Sequence, residues 1–152
     1  MLTIRTNKEI IGPTTTYFEY YINNAGPTLN WIGVVDETIE LEKWMGGQPG
    51  GWSYGSRGCI CHNSKVNEEG VGDYSQSYGE KFGVGDTIGV LVHLTSNDGS
   101  IYFYKNGKEL GQAFTGVTAK VLYPAISIFQ YSEISIICGS KPDLYYKLKS
   151  CK

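Results

Sequence analysis

Gly51-Trp52-Ser53-Tyr54-Gly55 has the spacing of a nucleophile elbow, and Asp86 and His93 follow it in the chain order Ser, Asp, His of an α/β-hydrolase. That set would perform acyl transfer, with the imidazole drawing the proton from the serine hydroxyl. The context does not support it. An elbow needs a strand before the serine and a helix after it, whereas Ser56-Arg57-Gly58-Cys59-Ile60-Cys61 reads as a turn and a strand. Cys59-x-Cys61-His62 offers a second chemistry, thiolate ligation of a metal or a thiol nucleophile beside its base. Neighbouring residues on a strand project from opposite faces, so Cys61 and His62 part, while Cys59 and Cys61 share a face. A zinc site would still need Cys138, Cys151 or His93, and buried, reduced thiols are the simpler reading. Gly83-Val84-Gly85-Asp86-Thr87-Ile88-Gly89 misses the dinucleotide-binding spacing by one residue and leads into a strand, which makes it a turn. The acidic group Asp36, Glu37, Glu40 and Glu42 reads as a solvated loop face rather than a calcium site. No catalytic set, metal site or cofactor is expected, and the chain is expected not to be an enzyme.

The bulk composition narrows the partners. The chain has 152 residues, with 13 Lys+Arg against 15 Asp+Glu, and no basic run exceeds two residues, so nucleic acid is excluded as an electrostatic partner. No stretch approaches the ~20 apolar residues of a membrane span. The N-terminal residues Met1 to Glu9 lack the apolar core of a signal peptide, and Asn-x-Ser/Thr sequons are absent, which together predict an intracellular protein, cytoplasmic with the nucleus as the alternative. A folded monomer of this size exposes about 7,600 Å² and hides roughly 69% of the extended chain's surface. One domain spanning 1–152 with a sound core is therefore expected, as a monomer.

The elements that must position any site are strands. Helical periodicity is hard to find. Its best candidate, Asp36 to Met45, does not form one apolar stripe before Gly46-Gly47-Gln48-Pro49-Gly50-Gly51, so it reads as a loop with at most one helical turn. Strand patterns recur instead at Tyr17–Ile22, Trp31–Val35, Cys59–His62, Thr87–Leu94, Ile101–Tyr104, Leu122–Phe129 and Glu133–Cys138. In the fourth of these, Ile88, Val90, Val92 and Leu94 share a face that should be core. Asn97-Asp98-Gly99-Ser100 and Asn106-Gly107 then predict a meander of three strands, because both central residues of an Asn-Gly hairpin tolerate positive φ. Many short strands with glycine turns and no βαβ alternation indicate two antiparallel sheets packed as a sandwich.

Six segments then carry a specific resemblance. Tyr17-Phe18-Glu19-Tyr20, Trp31-Ile32-Gly33-Val34, Trp52-Ser53-Tyr54-Gly55, Gly85-Asp86-Thr87-Ile88-Gly89-Val90, Ile101 to Phe114 and Leu122-Tyr123-Pro124-Ala125-Ile126-Ser127 resemble, in order and spacing, the SPRY domain family, from Tyr17 to about Gly139. Residues 1–16 then form a leading strand or loop and 140–152 a C-terminal extension. The resemblance implies an all-β fold, a bent, concanavalin-A-like two-sheet antiparallel β-sandwich. It also implies a role in docking peptide segments or surfaces of other proteins through loops at one edge, often as an adaptor in assemblies such as ubiquitin ligases. Carried onto this chain, it designates one loop from Arg57 to Cys61 and His62 and a second with Phe129, Gln130 and Tyr131 as partner-binding residues. The motif residues themselves read as scaffold: Asp86 closes a turn, Gly89 admits a close neighbour, and Tyr123-Pro124 starts a strand. A carbohydrate-binding role, with Trp44 and Trp52 as stacking platforms, stands as the alternative.

Overall fold

The computed structural model describes residues 1–27, 29–65, 76–129 and 131–138, and the backbone of 145–149. Its strands are β1 (Leu2–Arg5), β2 (Ile10–Ile11), β3 (Thr14–Asn24), β4 (Trp31–Val35), β5 (Gly51–Gly55), β6 (Cys59–Cys61), β7 (Gln76–Ser77), β8 (Thr87–Leu94), β9 (Gly99–Lys105), β10 (Lys108–Phe114), β11 (Val121–Ile128), β12 (Glu133–Cys138) and β13 (Tyr145–Lys149). They form two antiparallel sheets. One runs β1-β11-β4-β5-β6-β7, with β2 also on β11, and the other β10-β9-β8-β3-β12-β13. The exposed surface is 7693 Å², close to what the mass leads one to expect.

Alternation fixes which side chains meet between the sheets. Ile88, Val90 and Val92 are fully buried and Leu94 nearly so, facing Phe18, Tyr20 and Ile22 of β3 in the same layer and Ile32, Val34, Trp52 and Ile126 from the opposite sheet. Tyr20 ties the layers together: its hydroxyl reaches the carbonyl oxygens of Gly33 (2.8 Å) and Ala125 (3.0 Å). Gly33 also lets the neighbouring strand β5 approach closely, since a Cβ there would lie 1.9 Å from the Trp52 carbonyl oxygen. The hairpin between β9 and β10 turns through Asn106 and Gly107, both at positive φ, and Asp86 closes the turn before β8.

The expected loop at Asp36 to Met45 is a loop, followed by a single 3₁₀ turn at Met45–Gly47. It lies over the outer face of the seven-stranded sheet, where Trp44 packs on Trp31 and Met45 joins Val35, Tyr123 and Ala125. A relay of hydroxyls holds it down. The Met45 amide donates to Ser127 Oγ (3.0 Å), Ser127 and Thr3 hydroxyls meet at 2.7 Å, and Thr3 Oγ1 donates to the Lys43 carbonyl (2.6 Å). Pro124 departs from expectation, standing inside β11 rather than at its start. It fits because β11 changes partner there, pairing with β2 at Val121 and Leu122 and with β1 from Ala125 onward, so no amide donor is required at the gap.

Candidate functional site

Register decides which residues share an end of the sandwich. Trp31 of β4 lies between Ser127 of β11 and Gly55 of β5, and Asn24 at the close of β3 pairs with Glu133 at the start of β12. The connections 25–30, 56–58, 78–86, 106–107 and 129–132 therefore cluster at one end, hereafter the loop end. Leu2 pairs with Ile128 and Lys149 with Glu133, so β1 begins and β13 finishes at this end as well.

The loop end is tied together by short polar contacts. Ser56 N donates to the Asn30 carbonyl (2.9 Å), and Asn30 N donates to Ser56 Oγ (3.2 Å). Asn30 Nδ2 donates to the Ala25 carbonyl (2.7 Å), which also accepts from Ser132 Oγ (2.9 Å). On the other side, Phe82 N donates to the Ser56 carbonyl (3.0 Å). One chain of bonds thus links the residues flanking Arg57, Tyr131 and Val84. Asn30 and Ser132 are buried, and nothing in their local sequence marks them as a joint; their role follows from pairing between distant segments.

Arg57 is exposed at the apex of the β5–β6 turn, Phe129 is half-buried just beyond β11, and Tyr131 is 58% exposed with φ +69°. Gln130 lies outside the described residues. The segment expected as one loop from Arg57 to His62 is not one loop: only 56–58 is a turn, and Cys59–Cys61 is strand β6. That strand carries Cys61 and His62 away from the turn, Cys61 to a position opposite Ser53 and His62 to the Gly51 end of β5. Cys61 is buried at 3% exposure beneath Trp44, where loss of solvent and then the neighbouring Cys59 raise its thiol to about 12. His62 is exposed at the far end, stacked on Trp52 at 4.7 Å, its Nδ1 donating to the Gly51 carbonyl (2.9 Å). The structure places Arg57, Phe129 and Tyr131 at the same end of the sandwich and Cys61 and His62 away from it.

The other sequence candidates disperse. Ser53 is fully buried with Oγ donating to the Cys61 carbonyl (3.1 Å), Asp86 is bound to Asn106 and the Gly83 amide, and His93 meets Thr15 Oγ1 (2.7 Å) at the opposite end of β8. Asp36 folds back on Thr38 and Glu40 pairs with Lys43. Among the described residues no group of three or more His, Cys, Asp or Glu is placed to hold a metal. Cys59 and Cys61 are free thiols. The Cys138 side chain and Cys151 lie outside the description. Trp44 and Trp52 are buried at 8% and 6%, so neither offers the open ring face that sugar stacking requires.

An all-β sandwich of two antiparallel sheets with a loop cluster at one end defines the class. The match to the SPRY domain family over residues 15–141 shows that the chain belongs to that family. Its fold is similar to that of a human SPRY domain, with TM-score 0.74 and 21% identity over 91% of this chain and 85% of that one. It is likewise similar to the SPRY domain of human HERC1, at TM-score 0.71 and 21% identity over 91% and 83%. Curated relatives include E3 ubiquitin-protein ligase RKP of Arabidopsis thaliana, 37% identical over 54% of this chain and 6% of that protein. Ran-binding protein 9 of Xenopus tropicalis is 33% identical over 78% of this chain and 20% of that protein. The chain thus spans between about a twentieth and a fifth of these relatives. SPRY domains are generally protein-interaction modules, and among the described residues no helix is long and apolar enough to cross a membrane.

Proposed function

We propose that this domain is a non-catalytic module that captures an extended peptide segment of a partner protein at the loop end, through Arg57, Phe129, Gln130 and Tyr131. The observation that carries this is the rigid presentation of an exposed arginine and an exposed tyrosine on neighbouring loops bound through Ser56, Asn30, Ala25 and Ser132. Arginine and tyrosine are the residues that most often dominate binding energy at protein interfaces, and a scaffold that fixes them limits the entropy lost on association. Cys61, being buried, drops out of the proposed contact set, and His62 becomes a remote control position. The similarity of the chain to a short segment of a much larger relative, the E3 ubiquitin-protein ligase RKP, supports an adaptor role within a bigger assembly. Free buried thiols at Cys59 and Cys61 support an intracellular setting.

The test uses a peptide isolated on the wild-type domain from a displayed library of random dodecapeptides. Arg57→Ala, Phe129→Ala and Tyr131→Ala should each weaken it, with at least one change of about tenfold or more, while His62→Ala binds as wild type. Unchanged affinity in all three loop-end variants, with folding intact, removes the loop end as the site.

A further inference from the structure

The alternation that sends Phe18, Tyr20 and Ile22 into the core turns Tyr17, Glu19 and Tyr21 of β3 onto the outer face of the six-stranded sheet, where Tyr17 is 38% exposed. Register sets what stands beside them. Glu19 pairs with Gly89 of β8, Gly89 with Tyr104 of β9, and Tyr104 with Glu109 of β10, so these four share one row across the face. The Tyr17 ring leans into the gap over Gly89, where a Cβ would lie 2.7 Å from its Cε2 and Cζ atoms. There it meets Tyr104 edge to face, with ring centroids 5.4 Å apart and planes at 86°. The Tyr17 hydroxyl donates to Glu19 Oε2 (3.1 Å). Loss of solvent and then the Glu19 charge push that hydroxyl up to about 12, so it stays protonated and keeps the bond at neutral pH.

A tyrosine whose hydroxyl donates to a glutamate occurs a second time in this chain, and there the ring carries a cation. Tyr123 donates to Glu9 Oε1 (3.4 Å), and the Arg5 guanidinium carbon lies 4.1 Å from the centroid of the Tyr123 ring. A hydrogen bond given to a carboxylate polarises the phenol and makes its ring face more attractive to a cation. At Tyr17 the same donor and acceptor are present without the cation. Among the described residues no lysine or arginine pairs with Glu19 or Glu109, and none lies over Tyr17 or Tyr104. Lys105, next to Tyr104 in sequence, is bound to Glu80 instead.

We propose that Tyr17 and Glu19, backed by Tyr104, form a seat for an arginine side chain of a partner protein, separate from the loop end and independent of the reading given to it. The guanidinium stacks on the exposed tyrosine ring and turns its N–H donors to the carboxylate. A flat, delocalised cation can make both contacts at once, whereas a compact, strongly hydrated ammonium is poorly suited to the stacking. Glu109, on the far side of Tyr104, adds negative potential along the row. The interlocked rings and the hydroxyl bond fix the seat before a ligand arrives, which limits the entropy lost on binding.

The probe is the blocked tripeptide Gly-Arg-Gly, beside counterparts carrying lysine and citrulline, the neutral isostere of arginine, titrated into the isotope-labelled domain and followed by NMR. The arginine form should shift the amides of Tyr17, Glu19, Gly89 and Tyr104, with the lysine form weaker by about threefold or more and the citrulline form by about tenfold. Glu19→Gln keeps an acceptor for the Tyr17 hydroxyl but removes the charge, and it should weaken the arginine form by about three- to tenfold, while His62→Ala binds as wild type. Tyr17→Leu should do at least as much; since it leaves the space over Gly89 unfilled, its fold is checked by melting, and Glu19→Gln with the citrulline peptide carries the test if that variant unfolds. Three tripeptides that bind alike, an affinity unmoved by Glu19→Gln, or shifts confined to other faces would each overturn the seat and leave the loop-end reading untouched.

Discussion

Ser56 and Asn30 grip each other twice, the Ser56 amide on the Asn30 carbonyl at 2.9 Å and the Asn30 amide on Ser56 Oγ at 3.2 Å. The pair joins the turn that bears Arg57 to the loop that enters β4. Through Ala25 it also reaches the segment that bears Tyr131. Stability and the geometry of the proposed peptide site therefore share these few atoms.

Asn30→Ala should lower unfolding stability by about 1–3 kcal/mol, because the half-buried Ala25 carbonyl loses one of its donors and the buried amide side chain leaves a void. Urea denaturation measures this. Binding at the loop end should weaken in parallel although Asn30, at 1% exposure, cannot touch a ligand. A stable variant with unaltered binding would show that the joint does not set the loop geometry.

Tyr20→Phe removes the hydroxyl that bridges the sheets to Gly33 and Ala125 and should cost about 1–2 kcal/mol. Gly33→Ala should be far worse, at or above about 4 kcal/mol, since the new Cβ would meet the Trp52 carbonyl at 1.9 Å, a backbone atom that cannot step aside. Comparison of the two denaturation midpoints checks the order; a mild Gly33→Ala would contradict the packing described.

Cys61 should resist alkylation in the native protein at pH 8 and react on unfolding, because burial, followed by the influence of Cys59, lifts its thiol from 9.0 to about 12. The same shift has a sign for stability. The unfolded chain releases this proton near pH 9 and the folded chain only near 12, so between those values the unfolded state binds fewer protons and stability falls as pH rises. Below about pH 9 the contribution is fully present. Urea midpoints across pH 8–11 should decline, and Cys61→Ser should flatten part of that decline. Rapid native labelling of Cys61 would rule out its burial.

Tyr131→Gly separates fold from function. Tyr131 occupies positive φ, where a side chain costs roughly 1 kcal/mol, while glycine adds about as much unfolded-state entropy, so net stability should change by less than about 1 kcal/mol. The exposed ring is lost, and peptide binding should drop even though the domain melts where it did. Equal loss of binding and stability would instead assign Tyr131 to the scaffold.

Much of this architecture is legible in the residues themselves. Thr87–Leu94 and Glu133–Cys138 have the bounds their alternation and β-branched content predict, and Asn106-Gly107 sets the hairpin where its permissive φ requires. Gly51–Gly55 is harder, because Gly51 and Gly55 suggest a loop; it is a strand since Gly55 accommodates the Trp31 ring and Gly51 the Met45 backbone, contacts that only the folded sheet creates. Leu2–Arg5 is likewise defined by its partner β11 rather than by any run of its own. Of the residues proposed to bind, Arg57, Phe129 and Tyr131 are reached through family motifs, whereas the separation of His62 depends on the length of β6.

Leu2 beside Ile128 and Lys149 beside Glu133 put both margins of the strand framework on the loop end. A polypeptide continuing from either margin would leave alongside the surface assigned to recognition, not behind it. Grafting the domain into another protein, or tagging it, therefore places the added chain at the threshold of the face proposed to bind. Tags of different length at the two ends are thus a variable to control in any affinity measurement.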